Sequence, residues 1–267
     1  MDPVCKCFIS PDYDKPQILK DCIWIFLYAV ESNADIASMF LRENIILERL
    51  YQKLYHDDIE LRLGTLKVFS GISGAVKYDE EQTFLTVEFM SALKSMFSST
   101  AFIEREHSVF CLSNLVCSNP ADIEKIINHS IFTEFLGRMR LEFKTSVLKE
   151  LALTAASLVN KCDISQLMTL ARSDIVGSIL ALADQANKHK VILQLCARTI
   201  GELVDKGECL RSEYGGVNPM ISEVSSHESM YHKMANELEK LPNLDIKTKG
   251  ILELVEECLL THTNIYN

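Results

Sequence analysis

The chain has 267 residues, 48% of them hydrophobic, with only 10 Gly and 6 Pro, so it can bury a sizeable core but is punctuated too rarely for a turn-rich β protein. Its net charge of −10 argues against general affinity for nucleic acid and favours basic partners. The longest uninterrupted apolar run, Cys22 to Val30, is nine residues and too short to cross a bilayer, and Asp2, Pro3, Cys5 and Lys6 interrupt any leader-like stretch.

In chain order, residues 1–15 carry no obvious element and read as a frayed terminus. Pro16 suits a first helical turn, and Ile18, Cys22, Ile25, Phe26 and Ala29 then mark a helix to about Ser32. Helices follow over 33–42 and 45–55, the second with Ile46, Leu50 and Leu54 on one face. Residues 58–75 form a long helix expected to fray at Gly71 and Gly74. A charged loop, Lys77 to Gln82, leads into a helix over 84–97 and then into Arg105 to Ser118. Asn119-Pro120 reads as a helix start, Asn as cap and Pro in the first turn. After a short helix to Asn128 comes 131–141, with Phe132, Phe135, Leu136 and Met139 facing inward. Residues 145–160 form a long helix with Val147, Leu151, Ala155 and Leu158 in register, and 163–172, 175–186 and 191–205 repeat the order short, medium, long. Strict alternation and β-branched clustering are rare, so the fold class is all-α.

The stretch REHSVFCLSNLVCS, residues 105–118, carries the most chemistry. Val109, Leu112, Leu115 and Val116 recur at helical spacing and can pack into a core. Phe110 and Asn114 lie four apart on one face, where a ring can pack on a side-chain stem while an amide bonds an extended backbone. Superposing the long helices gives the equivalent pairs Trp24 with Tyr28, Leu66 with Ser70, Leu153 with Ser157, and Arg198 with Glu202. Their first members are 42, 44, 43 and 45 residues apart. A period in the forties built of two or three helices is the mark of HEAT or armadillo arrays, whose units stack and line a concave groove with their last helices.

Residues 105–128, REHSVFCLSNLVCSNPADIEKIIN, closely resemble an armadillo repeat of importin alpha, the adaptor for nuclear localisation signals. KELALTAASLV (149–159) and LCARTIGELVDKGE (195–208) are similar to later copies, and 214–238 is similar to the closing repeat, with Gly215, Gly216, His227, Glu228 and Tyr231 at its motif positions. The resemblance covers roughly 16–240 and is weak before about residue 100. It implies a right-handed superhelical solenoid of about five to six armadillo repeats over 16–267, closed by a C-terminal capping helix. It implies a groove that takes Lys/Arg-rich cargo segments, importin beta recruited through another chain, an export factor at the C-terminal repeats, and residence in cytoplasm and nucleus. In that family a Trp sandwiches lysine stems and an Asn four later clamps the peptide backbone. The positions equivalent to that pair, and so expected to line the peptide groove, are Trp24, Tyr28, Ser70, Phe110, Asn114, Leu153, Ser157, Arg198 and Glu202.

The departures are as informative. One aromatic-plus-Asn pair remains, Phe110 with Asn114, while Trp24 is followed by Tyr28 and Arg198 with Glu202 breaks the pattern. Where some family repeats carry an acid one turn further on, this chain has Ser32, Gly74, Ser118 and Lys161, with Glu31 the nearest carboxylate. Residues 1–20 hold only Lys6, Lys15 and Lys20, so the family's basic N-terminal segment is not expected. The alternative is an armadillo scaffold that has lost signal recognition and keeps a partner-binding surface. An enzyme finds little support. The seven histidines match no catalytic or metal spacing, Gly71 and Gly74 form no phosphate loop, and no cofactor is implied. His107 and His129 read as solvated or capping, and the acidic clusters Asp57-Asp58-Glu60 and Asp79-Glu80-Glu81 as solvated loops. Nine cysteines without a C-x-x-C fit buried thiols in a reducing compartment, and Cys5 with Cys7, lacking a nearby His, do not suggest zinc.

Overall fold

The computed structural model describes residues 3–75, 85–118, 120–186 and 189–266, and among these every regular element is helical. The expected loop Lys77 to Gln82, the cluster Asp79-Glu80-Glu81 and the Asn119 cap lie outside the described residues. The chain divides into two compact units, Met1–Ile131 and Phe132–Asn267.

The first unit holds α1 (Pro3–Ile9), a 3-10 turn (Pro11–Tyr13), α2 (Pro16–Ser32), α3 (Ala34–Arg42), α4 (Asn44–Lys53), α5 (Ile59–Ala75), α6 (Val87–Phe97), α7 (Phe102–Ser118) and α8 (Pro120–Asn128). The expectation of a frayed N-terminus is corrected here. Phe8 is fully buried with its ring edge-on to Phe26 at 5.0 Å, and Asp14 accepts Lys53 at 2.9 Å and Arg49 at 3.0 Å. The bond from Lys53 holds the Asp14 carboxyl below the usual range. A short apolar segment with one anchoring ring needs no long periodic run to pack, which is why periodicity did not reveal it.

Long helices α2, α5 and α7 pack in succession. In α2 the buried arc is Leu19, Cys22, Ile23, Phe26, Leu27 and Val30, while Ile25 is exposed. That arc is wider than the expected face because α2 meets α1 and α3 as well as α5. Helix α5 runs unbroken to Ala75 through Gly71, contrary to the expected fraying. A Cβ at Gly71 would lie 2.9 Å from Val30 Cγ2, so glycine here permits close approach of α2. Rings of Tyr51, Phe69 and Phe89 fill the space between α4, α5 and α6, with centroids 5.2 Å and 4.8 Å apart. Arg62 on α5 pairs with Glu104 on α7 at 2.5 Å and donates to the His56 and Asp57 carbonyls, so a half-buried charge is held from three sides.

The unit boundary falls inside α9 (Ser130–Leu141). The second unit continues with α10 (Thr145–Lys161), α11 (Ile164–Ala171), α12 (Ile175–Gln185), α13 (Lys190–Tyr214), α14 (Pro219–Ser226), α15 (Glu228–Glu239) and α16 (Ile246–Tyr266). Again the long helices α10, α13 and α16 pack in succession. The expected inward residues of 131–141 and 145–160 are buried. Helix α13 outruns its expected end at residue 205 and stops at Gly215, whose φ of 73° closes the helix in the left-handed region. Tyr231, one of the closing-repeat motif residues, is buried and donates its hydroxyl to the Leu252 carbonyl at 3.2 Å.

A polar cluster joins α9, α12 and α14. Asp174, in the left-handed region, pairs with Arg140 and with His227 Nε2 at 2.8 Å, and the Val176 N–H donates to Glu223 Oε1 at 3.0 Å. The other Glu223 oxygen is buried without a hydrogen-bond partner, and burial, reinforced by Asp174, pushes this carboxyl up to about 8.

Candidate functional site

The long helices of the first unit present one column of residues each to solvent. On α2 the column is Trp24, Tyr28 and Glu31, with the Trp24 and Tyr28 rings 6.0 Å apart. On α7 it is Phe110, Asn114 and Cys117, with Phe110 46% exposed and Asn114 half-buried. The expectation for α5 needs correction, because Leu66 and Ser70 are buried, at 1% and 4% exposure. The outward column on α5 is Lys67, Gly71 and Gly74. The sequence held the signal: Trp24, Lys67, Phe110 and Leu153 are spaced by a uniform 43, whereas Leu66 gives an uneven 42 and 44. Leu66 drew attention because it is apolar like the other lead positions, but an apolar residue on a long helix belongs first to the core.

Three contacts shape this face. Lys67 Nζ lies 5.5 Å from the centroid of the Trp24 ring, so the first platform already carries a cation from the neighbouring helix. The Asn114 amide donates to Ser70 Oγ at 2.8 Å, binding α7 to α5 and committing part of its donor capacity inward. His107 is half-buried, and burial, followed by the Lys67 charge, pulls its imidazole below the ordinary value. Between the aromatic columns, Gly71 and Gly74 bear no side chain, and a Cβ at Gly74 would meet nothing within 4 Å. The result is low ground flanked by rings, with the Glu31 carboxylate exposed at one side.

The corresponding columns of the second unit are Leu153, Ser157 and Asn160 on α10 and Arg198, Glu202 and Asp205 on α13. Leu153 is 36% exposed and Ser157 half-buried. Arg198 pairs with Asp245 at 2.9 Å and donates to Thr248 at 3.2 Å, so it pins the start of α16. Asp245 caps that helix by accepting from the Thr248 N–H and hydroxyl at 2.9 and 2.8 Å, and these bonds, with Arg198 behind them, lower its carboxyl to about 2. Lys206 donates to the carbonyls of Val159, Asn160 and Cys162, closing the C-terminus of α10. Sequence reading missed Lys67, Asp245 and Lys206, whose roles depend on partners 43 or more residues away.

Elsewhere the acidic pair Asp58 and Glu60 is engaged by Lys20 at 2.8 and 2.5 Å. Among the described residues no group of His, Cys, Asp and Glu is placed to hold a metal, and no disulfide joins two cysteines. Burial raises the Cys196 thiol to about 12 and the Cys22 thiol to about 11. No helix among the described residues is long and apolar enough to cross a membrane.

No protein-family model matches the sequence, and no curated protein matches it. Solved structures do match. A designed armadillo repeat protein superposes with a TM-score of 0.72 at 14% identity, covering 96% of this chain and 98% of that one. A designed armadillo repeat protein in complex with the peptide (KR)4 gives 0.70 at 15% identity, with the same coverage of 96% and 98%. A computationally designed armadillo repeat protein for modular peptide recognition gives 0.64 at 13% identity, over 90% of this chain and 98% of that one. The fold is therefore all-α and of the armadillo-repeat class.

Proposed function

We propose that this chain is a non-enzymatic adaptor that holds an extended basic segment of a partner protein against the α2–α5–α7 face, in the manner of importin alpha, for protein import into the nucleus. The observation that carries this reading is the pair of aromatic columns, Trp24 with Tyr28 and Phe110 with Asn114, on either side of the open backbone at Gly74. Aromatic faces take the stems of Lys and Arg, the half-buried Asn114 amide can offer its remaining capacity to a peptide backbone, and the overall charge of −10 draws basic segments in. The likeness to a designed protein solved with (KR)4 supports the class of ligand. The protein would then work in cytoplasm and nucleus, with importin beta and an export factor as further partners.

A second reading is a scaffold without signal recognition. It is favoured by the inward bond of Asn114 to Ser70 and by the engagement of Arg198 with Asp245. Titration with a Lys-rich signal peptide and with its Lys→Ala control separates the two. The adaptor reading expects saturable binding of the first and none of the second, and equal behaviour of both peptides would favour the scaffold.

A further inference from the structure

We propose that Lys67 sets the specificity of the first unit's face, by occupying the Trp24 platform so that the face accepts one basic side chain, at Phe110, instead of two. This rests on the peptide-binding reading above and goes beyond it.

Trp24, Lys67 and Phe110 occupy equivalent places on successive long helices, each 43 positions after the last. Trp24 and Phe110 are both close to half exposed, so both are aromatic surfaces that an incoming cation could cover. Lys67 differs from its two equivalents in kind. Its ammonium stands 5.5 Å from the Trp24 centroid, within the roughly 6 Å over which a ring attracts a cation. A lysine or arginine of a bound segment would have to displace it from that ring. Displacement also brings two like charges together, which opposes entry a second time.

Phe110 has a different neighbourhood. The side chain four residues on is Asn114, and the charge nearest in the chain is Glu106, one turn earlier. On the middle helix, the residues past Lys67 in the outward column are Gly71, packed against Val30 of α2, and Gly74, which is open to a peptide main chain; neither brings a further cation. The lysine tail therefore divides the face into an occupied platform and an open one.

Trp24 is the chain's single tryptophan, so its fluorescence reports on the occupied platform alone. The test is a double-mutant cycle of Lys67→Met and Trp24→Leu, titrated with the octapeptide (KR)4 at constant ionic strength. Methionine keeps the length of the stem and removes the charge. The expected result is a gain of about two- to five-fold in affinity for Lys67→Met, accompanied by a new change in tryptophan emission on binding. In the Trp24→Leu background, Lys67→Met should bring a clearly smaller gain. An equal gain in both backgrounds would overturn the proposal, because Lys67 would then act through net charge alone. No gain with intact wild-type binding would also overturn it while leaving the adaptor reading in place. Absence of binding by wild type and every variant would remove the adaptor reading and this inference together.

Discussion

The two units repeat one device, three long helices packed in succession, yet use the outward columns of those helices differently. In the first unit the column residues are three rings, an amide, two glycines, a carboxylate and a thiol, and one lysine lies on one of the rings. In the second, Arg198 is fastened to Asp245, and Lys206, a turn beyond Glu202, is fastened to the end of α10. A repeat position therefore does not fix a role. A long cationic side chain at such a position is free for a partner only if the neighbouring long helices offer it no carboxylate or carbonyl, and in the second unit they do.

The largest expected effect separates packing from display on one helix. Leu112 is buried and Phe110 exposed, two positions apart on α7. Leu112→Ala should cost about 2–5 kcal/mol in a denaturant melt, whereas Phe110→Ala should cost well under half of that and act on peptide binding. Comparable losses of stability for the two would show that the Phe110 face is core.

A second contrast belongs to the second unit. Burial raises the Glu223 carboxyl from its ordinary 4.5 to about 8, so the folded chain holds that proton more tightly than the unfolded chain. The resulting contribution is present below about pH 4.5 and is lost as pH rises through 8. Wild type should therefore lose stability between pH 5 and 8.5 relative to Glu223→Gln, by an amount of the order of 1–3 kcal/mol. Parallel stability curves for the two proteins would show that Glu223 ionises as an ordinary exposed acid.

Asn114 tests how far the first unit's face is committed inward. Asn114→Ala and Ser70→Ala remove the same bond from opposite ends, and each should cost about 1 kcal/mol of stability. If the amide also meets a bound segment, peptide affinity should fall for Asn114→Ala and hold for Ser70→Ala. Equal peptide affinities would limit Asn114 to joining α7 and α5.

The smallest effect is at the start of α16. Arg198→Met should raise the Asp245 titration midpoint only part of the way from about 2 toward 3.8, because the Thr248 bonds are the larger cause. Asp245 contributes above pH 3.8 and its contribution is lost as pH falls through 2, so the variant should be less stable than wild type above about pH 3.8 and converge with it in acid. A full return to 3.8 would make Arg198 the principal partner.

Much of this was legible in the sequence. The order short, medium, long follows from where apolar periodicity starts and stops, and the recurrence in the forties ties the long helices together. The outward positions of Trp24, Phe110 and Leu153 follow from the same register. What was not legible depends on contacts distant in sequence. The burial of Leu66 and Ser70 reflects packing of α5 against helices on both sides, which composition does not distinguish from a display position. The packed N-terminal turn rests on Phe8, Asp14, Arg49 and Lys53, residues that form no pattern until the chain has folded.

Under the proposed function the first unit's face, and not its counterpart in the second, receives a basic segment. The most direct measurement is a titration of (KR)4 into wild type, a Phe110→Ala/Asn114→Ala variant and a Leu153→Ala/Ser157→Ala variant, each checked for folding by its melt. The proposed function predicts a loss of roughly ten-fold or more for the first variant and less than about two-fold for the second. Equal losses in the two variants, or a loss confined to the second, would contradict it.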